Sequence, residues 1–418
     1  MTLPTLRLPA HLERPLTAGH PWVYRDHLPP GTSLPDGAWA RVEAGRTAAL
    51  GLWAAAGAIA LRVVRHGPAD AALSPPDRTW VASTVARALA LRSPIEAAGS
   101  DAYRLLYGEG DGLPGLSVDR YGRYAVVQTY AAGYRLPGSG AGELLREVVQ
   151  ALATALPLKG VLAAPHAGES LRVLWGEAPA AELTVREQGL RFLANLFEGQ
   201  KTGLFLDHRE HRALVRAHAA GRRVANLFAY SGAFSVYALA GGALRAVDVD
   251  VGAAALRDAQ RNVAANADVI GPDAADRHAT LRRDLLTDPA AALADPLLAG
   301  SDLIVLDPPS LARRKAQRHA ALRSYRRLNA AALAALPAGG LLATASCTAQ
   351  VSPEAFREAL AQAAADVAVE AQVLHESGHA PDHPVPLAFP EGRYLKFVLL
   401  RVTRPGRAAR ATTAGARR

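Results

Sequence analysis

The run Asp302-Leu303-Ile304-Val305-Leu306-Asp307-Pro308-Pro309-Ser310 decides how this chain is read. An apolar strand delivers Asp307 to its carboxyl end, where two prolines fix the backbone and hold the carboxylate outward in a crevice. Outward from it, beginning near Phe192, strands and helices alternate, the pattern of a parallel α/β sheet. Strands are expected at Arg223–Phe228, Ala243–Asp248, His278–Leu281, Asp302–Leu306 and Leu341–Thr344, with helices between them. A last pair, Val367–Leu374 and Tyr394–Val402, closes the sheet.

In an open α/β sheet the ligand crevice lies beyond the carboxyl ends of the strands. The first strand runs into Ala229-Tyr230-Ser231-Gly232-Ala233-Phe234-Ser235, where Gly232 would let a cofactor approach the backbone. The second ends in Asp248-Val249-Asp250, where a carboxylate can accept from both hydroxyls of a ribose, and the third is followed by Asp284, at the place of a base. The G-x-G-x-x-G cradle of a pyrophosphate binder is missing, so a nucleoside without phosphates fits better than NAD, and S-adenosylmethionine (SAM) is that nucleoside. Methyltransferases of exocyclic amines usually carry an aromatic residue after Asp-Pro-Pro; Ser310 stands there, which counts against amine chemistry. The fifth strand leads into Ser346-Cys347-Thr348, on the same sheet edge as Asp307. A free cysteine is most often a small buried hydrophobe. At a strand end it also suits a nucleophile, and the neighbouring arginines favour its thiolate.

Composition sets the bounds. The chain's 418 residues suggest two or three domains, and half of them are hydrophobic and a fifth charged, which excludes disorder over most of the length. A single cysteine excludes a disulfide framework, a thiolate zinc site and an iron–sulfur cluster. The net charge is +9, with 43 of 47 basic residues arginine, and predicts a polyanionic partner, most often nucleic acid. From Pro308 to Pro353 there is no acidic residue, while Arg313, Arg314, Lys315, Arg318, Arg323, Arg326 and Arg327 crowd together. Met1–Pro15 has no apolar signal region, and Ala48–Leu61 falls short of the roughly 18 residues that span a bilayer. A soluble cytoplasmic protein, with no membrane partner, is expected. His375, His379 and His383 recur every four residues, but Gly378, Pro381 and Pro384 break any helix that could align them, so no metal site is expected. His208 and His211 read as surface residues of a helix.

Upstream, short runs at Trp39–Glu43, Ala48–Trp53 and Ile59–Val64 suggest a small β barrel, ending in the boundary Pro68–Pro76. A helical stretch Trp80–Arg92 follows, then strands near Leu116–Val118 and Tyr124–Tyr130 and a helix over Gly142–Leu156. Residues 1–70, 77–188 and 189–402 are thus three expected domains, and 403–418 a basic tail expected to be disordered.

Taken together these segments resemble the large-subunit ribosomal RNA cytosine-5 methyltransferases with an N-terminal PUA domain, the RlmI-like group. The resemblance spans about Leu6 to Val402. It is carried by Gly19-His20-Pro21-Trp22-Val23-Tyr24, the Gly-rich stretch Gly108–Arg120, Gly199–Arg209, Asp307–Ser310, Thr344–Cys347, Asp382-His383-Pro384 and Tyr394-Leu395-Lys396. It implies a PUA-like β barrel, a central α/β domain and a class I, Rossmann-like methyltransferase domain with a mostly parallel sheet of seven strands, the last antiparallel. It implies cofactor contacts from Gln200, Lys201, Asp207, Arg209, Gly232, Asp250 and Asp284, to which the crevice adds Asn226, Phe228, Tyr230, Asp307 and Pro308. Asp250 is preferred to Asp248 for the ribose, because the helix after it aligns better with the family's. Cys347 falls on the family's motif VI cysteine, and Ser310 lies where other RNA cytosine-5 methyltransferases carry a second cysteine, which leaves the base that removes the C5 proton unassigned.

The chemistry expected is addition of Cys347 to pyrimidine C6, Asp307 bonding at N3, methyl transfer to C5 and release, forming 5-methylcytosine in large-subunit (23S) ribosomal RNA. RNA contact is expected from the barrel and from Arg313, Arg314, Lys315, Arg318 and Arg323. Two other readings stay open: a uridine C5 methyltransferase using the same cysteine, and a non-catalytic RNA-binding or ribosome-assembly protein. Oligomeric state is open, a homodimer included.

Overall fold

The computed structural model describes residues 3–165, 171–197 and 204–404. The described residues fall into two compact units, one drawn from 1–188, 195–198 and 381–392, the other from 189–194, 199–380 and 393–418.

The second unit is built on a seven-stranded sheet. Its strands are β1 (Arg223–Leu227), β2 (Arg245–Asp250), β3 (His278–Arg282), β4 (Leu303–Leu306), β5 (Leu341–Ser346), β6 (Glu370–Ser377) and β7 (Lys396–Arg404). They lie in the order β3-β2-β1-β4-β5-β7-β6. The first five pair in parallel, and β7 runs antiparallel to both β5 and β6. The order reverses between β1 and β4, which opens the crevice where such sheets take ligands. β4 is an unbroken buried run because helices cover both faces of the sheet. On one face Ile304, Leu306 and Leu342 pack with Tyr325, Leu328 and Leu333 of helix α4 (Arg318–Ala335) and Phe356 of α5 (Pro353–Asp366).

Most strands end within three residues of expectation, and two of the shifts have a visible cause. β2 continues to Asp250, so this carboxylate closes the strand instead of following it. β6 begins at Glu370, because Val369 is buried in the core and Ala368 turns the chain at φ 53°.

The first unit holds two five-stranded sheets. In one, the strands run in the order Thr5–Arg7, Trp39–Ala44, Thr47–Trp53, Ile59–Pro68 and Trp22–Tyr24, around a core that includes Leu16, Val42, Trp53 and Leu61. The first and last of these strands are three residues long, too short to show an alternating pattern in sequence. The other sheet joins Arg172–Gly176, Gly160–Ala163, Tyr124–Thr129, Leu116–Tyr121 and Ala102–Tyr107, covered by helices Arg78–Ala97 and Gly140–Ala155. Asp77 and Ser139 start these helices by accepting from the Trp80 and Gly142 amides.

The Gly-rich stretch at 108–115 is a structural knot. Asp111 takes a bidentate pair from Arg92 at 2.7 Å on both oxygens, with the two side chains 6% and 1% exposed. Arg92 also donates to the Asp382 carbonyl, while the Asp382 carboxylate accepts the Arg104 amide. Glu109 accepts the Trp22 indole N–H at 2.7 Å. Gly110 has no room for a Cβ, because the Pro384 carbonyl occupies that space. Three stretches far apart in sequence are therefore bound together by buried charge. Arg92→Met should destabilise this unit by about 3–5 kcal/mol, since it strands the Asp111 carboxylate in a dry site. Urea unfolding followed by tryptophan fluorescence measures this, and a loss below about 1 kcal/mol would show that water reaches Asp111.

Candidate functional site

The crevice of the second unit is formed by the turns after β1, β2, β4 and β5. After β1 the backbone takes positive φ at Phe228 (60°), Tyr230 (50°) and Gly232 (72°) before helix α2 (Ala233–Ala240) begins. Non-glycine residues rarely adopt such angles, and they gather where a loop is shaped for a ligand. The Asp250 carboxylate holds this loop, Oδ2 accepting the Tyr230 amide at 2.9 Å and Oδ1 the Gly252 amide at 2.8 Å. Each carboxylate oxygen has a further lone pair for a ligand hydroxyl.

Asp248 has another task. It is fully buried and accepts from Asn226 Nδ2 (2.7 Å), Ser235 Oγ (2.5 Å) and His278 Nε2 (2.7 Å). Two expectations change as a result. The Asn226 amide points into this cluster rather than the crevice, so its side chain is structural. Gly232 is required by packing: a Cβ there would lie 2.5 Å from Asp248 Oδ2 and 2.6 Å from the Ala259 methyl, so the gap is not left for a cofactor.

After β4, Asp307 is half-buried, Pro308 is buried, and Pro309 and Ser310 are exposed. After β5, the half-buried Cys347 carries its Sγ 3.9 Å from the Pro308 carbonyl. Thr348 ties the two turns together. Its Oγ1 accepts the Leu311 amide at 3.1 Å and meets the Tyr325 hydroxyl at 2.7 Å. Its carbonyl accepts Lys396 Nζ at 2.7 Å, and the same ammonium reaches the Tyr394 carbonyl at 2.8 Å. Burial pushes the Tyr325 phenol up to about 12, so it stays protonated beside Cys347 and Asp307.

Asp207 accepts the Tyr394 hydroxyl at 2.5 Å, and Arg209 is buried with its Nε donating to Glu210. Asp284 is exposed and accepts from the Leu286 amide and Thr287 hydroxyl, which hold its carboxyl below the usual range. Gln200, Lys201 and the tail beyond 404 lie outside the described residues. Arg313, Arg314, Lys315 and Arg323 are exposed and Arg318 is half-buried; Arg326 is engaged by Asp366 and Arg327 by the Leu286 carbonyl.

Three functional candidates carry no role in the sequence reading. Lys396 lies across from Ser346 in the β5–β7 pairing, next to Cys347. His208 and His211 are not surface residues: each is 2% exposed, with their Nδ1 atoms 2.9 Å apart. His208 begins helix α1 (Arg209–His218), and His211 stacks on Phe397 at 4.1 Å, so this end of α1 is covered by the sheet. Two histidines three apart, on either side of Arg209, were the available signal. His375 lies on β6, and His379 packs on Tyr394. Among the described residues no group of three His, Cys, Asp or Glu could hold a metal ion, and no helix is long and apolar enough to cross a membrane.

Fold and crevice together define a SAM-dependent methyltransferase, and a family model of that description matches residues 154–385. A second model, for a PUA-like domain, matches residues 6–66. A ribosomal RNA large subunit methyltransferase of Deinococcus radiodurans is 38% identical, over 95% of this chain and 97% of its own. Ribosomal RNA large subunit methyltransferase I of Aeromonas salmonicida is 34% identical, over 93% of this chain and 97% of its own. The chain belongs to this family of large-subunit ribosomal RNA methyltransferases. Among solved structures, a protein described as a SAM-dependent methyltransferase from Streptococcus mutans superposes with a TM-score of 0.78, covering 96% of this chain and 100% of its own at 20% identity. Another, described as a methyltransferase complexed with S-adenosylhomocysteine (SAH), gives a TM-score of 0.80 with the same coverage at 21% identity. At such identity these likenesses establish the fold.

Lys396 gives the site a measurable pH signature. Burial lowers its ammonium from 10.5 to about 8, while a thiolate at Cys347 would pull it the other way. Between those values the unfolded chain binds a proton that the folded chain does not, so this group's contribution to stability rises with pH across the window, by up to about 3 kcal/mol. Lys396→Met should flatten that part of the stability–pH curve relative to the parent. Parallel slopes for the two proteins in urea unfolding from neutral to alkaline pH would contradict a buried ammonium.

Proposed function

We propose that this SAM-dependent methyltransferase forms 5-methylcytosine in large-subunit ribosomal RNA through a covalent adduct between Cys347 and C6 of the base. The observation that carries the reading is the chain's only thiol, on the turn after β5, with its Sγ 3.9 Å from the carbonyl of the Asp-Pro-Pro turn after β4. Pyrimidine C5 is a poor nucleophile until something adds at C6. Cys347 attacks C6 as the thiolate, favoured by the neighbouring Lys396 ammonium, and Asp307 meets the charge that develops at N3. The resulting enamine takes the methyl group from the sulfonium of the cofactor. Loss of the C5 proton then expels Cys347. Both faces of the base must be open, so the nucleotide is single-stranded or flipped out.

Cofactor contact falls to Asp250 for the ribose and to the loop it holds, at Phe228 and Tyr230. The family resemblance adds Asp284, Asp207 and Arg209 to these contacts, and the turn after β4 adds Asp307 and Pro308. The exposed Arg313, Arg314, Lys315 and Arg323, with Arg318, supply phosphate contacts, and the PUA-like domain is a second RNA-binding element. A non-catalytic scaffold would need none of Asp250, Asp307 and Cys347.

Asp250→Ala should weaken SAM binding about a hundredfold, roughly 3 kcal/mol for two charge-assisted hydrogen bonds, as read by calorimetry. Unchanged affinity would move the ribose contact elsewhere. Cys347→Ala should fold and bind SAM yet transfer no methyl, and ribosomal RNA carrying 5-fluorocytosine should trap the parent as an adduct at Cys347 that survives denaturing electrophoresis. Near-parental transfer by Cys347→Ala would exclude the covalent route. Nucleoside analysis of the product separates cytosine from uracil.

A further inference from the structure

Behind Asp307 lies a chain of buried polar groups that the mechanism above does not use. His208 Nε2 stands 3.4 Å from Asp307 Oδ2. His208 Nδ1 meets His211 Nδ1 at 2.9 Å, and His211 Nε2 meets Ser377 Oγ at 3.1 Å. Both rings are 2% exposed, whereas Ser377 is half-buried at the end of β6, the edge strand, beside the exposed Glu376. His211 is clamped flat on Phe397, and His208 lies edge-on to Phe234. The charged and titratable groups around His211 are His208, Asp207, Arg212 and His375. Burial pushes the His211 imidazole well below the ordinary histidine range, so at neutral pH it carries one N–H.

That single proton makes the chain a two-state device. With Asp307 ionised, His208 must present Nε2–H to it, since a carboxylate only accepts. His208 Nδ1 is then bare and accepts from His211 Nδ1–H, and His211 Nε2 accepts from the Ser377 hydroxyl. In the other state Asp307 is the acid and donates to His208 Nε2, His208 Nδ1–H donates to His211, and His211 Nε2–H donates to Ser377. The second state holds one more proton than the first. Every polar atom of the two rings is paired in both states, and neither ring has to rest as a buried cation. The 3.4 Å gap at Asp307 is the long step, of the kind that tightens when substrate fills a site.

We propose that Ser377, His211 and His208 form a proton path from solvent to Asp307, which delivers the proton that cytosine N3 must gain when the thiolate adds to C6. The proposal rests on the cytosine reading above and deepens it. As the S–C6 bond forms, the C5=C6 pair moves to C4–C5 and the C4=N3 pair moves to N3. Asp307 gives its proton to N3, leaving a carboxylate. Before the base is attacked, a proton from water enters at Ser377, each ring passes on the one it held, and His208 Nε2–H makes Asp307 the acid; when the C5 proton is lost and Cys347 leaves, the N3 proton returns to the Asp307 carboxylate. Uracil needs no such delivery, because its N3 already bears hydrogen and suits the carboxylate. His208 and His211 act through Asp307 and are positioning residues in this scheme.

The test uses the full chain with SAM and ribosomal RNA, and follows 5-methylcytosine in single turnovers across a pH series. His211→Phe keeps a ring on Phe397 but interrupts the path. His208→Gln keeps a donor toward Asp307 but cannot relay. Both should bind SAM and RNA as the parent does, and at about pH 8 both should lose about a hundredfold in rate. The deficit should shrink by about tenfold for each unit the pH is lowered, as Asp307 takes its proton from bulk water. Parental rates in either variant at alkaline pH, or a loss that is the same at every pH, overturns the proposal. If the parent itself yields no 5-methylcytosine, the cytosine reading fails first; if it does and the variants match it, only the path fails.

Discussion

The Asp248 carboxylate has no access to water, and three donors from three elements converge on it: Asn226 from β1, Ser235 from α2 and His278 from β3. A buried carboxylate left without partners is worth several kcal/mol of lost stability, so these contacts are obligatory. They set the spacing of the three elements at the end of the sheet where the ligand crevice opens. They also exclude a side chain at Gly232, whose Cβ would meet the same oxygen. The turn from β1 into α2 then has little freedom, and it passes through positive φ at Phe228 and Tyr230. Asp250, two residues further along β2, completes the arrangement from the outside by holding the Tyr230 amide. One carboxylate supports the loop from within, and the second faces the crevice with lone pairs to spare.

A comparable division holds at β5. Thr348 joins the Asp-Pro-Pro turn, α4 and β7 through its hydroxyl and carbonyl. Cys347, the residue before it, is half-buried and thus reachable. The thiol sits between a rigid turn and a buried ammonium, an arrangement that suits the nucleophile proposed above.

Much of this was legible in the sequence. The alternation of strands and helices, the Asp307-Pro308-Pro309 turn and the thiol at a strand end each follow from local pattern, because a buried strand and its exit turn are local events. Which of Asp248 and Asp250 is committed to the interior was not legible. Both aspartates look alike in Asp248-Val249-Asp250, and only the convergence of Asn226, Ser235 and His278 shows that the first is committed to the interior. The same convergence removes Asn226 from the crevice and gives Gly232 a packing role. His208 and His211 were misread for the same reason: polarity at the start of α1 suggests solvent, but Phe397 and Ser377 come from strands about 170 residues later. The short strands Thr5–Arg7 and Trp22–Tyr24 form only because neighbouring strands accept them.

The Gly-rich stretch shows how a conspicuous motif can be structural. Its Asp111 and Glu109 look like candidates for binding, yet Arg92 and Trp22 occupy them, and Gly110 is needed where the Pro384 carbonyl comes close. Charge buried in pairs of this kind contributes little net stability over an apolar core, but it penalises every arrangement that separates the partners. Arg92 reaches both Asp111 and the Asp382 carbonyl, so a chain that docks the 381–392 segment wrongly leaves a guanidinium without acceptors. In both units, then, buried charge does less to stabilise the fold than to exclude its alternatives. Asp250 and Asp307, each only half-buried, are the carboxylates that lie at the crevice.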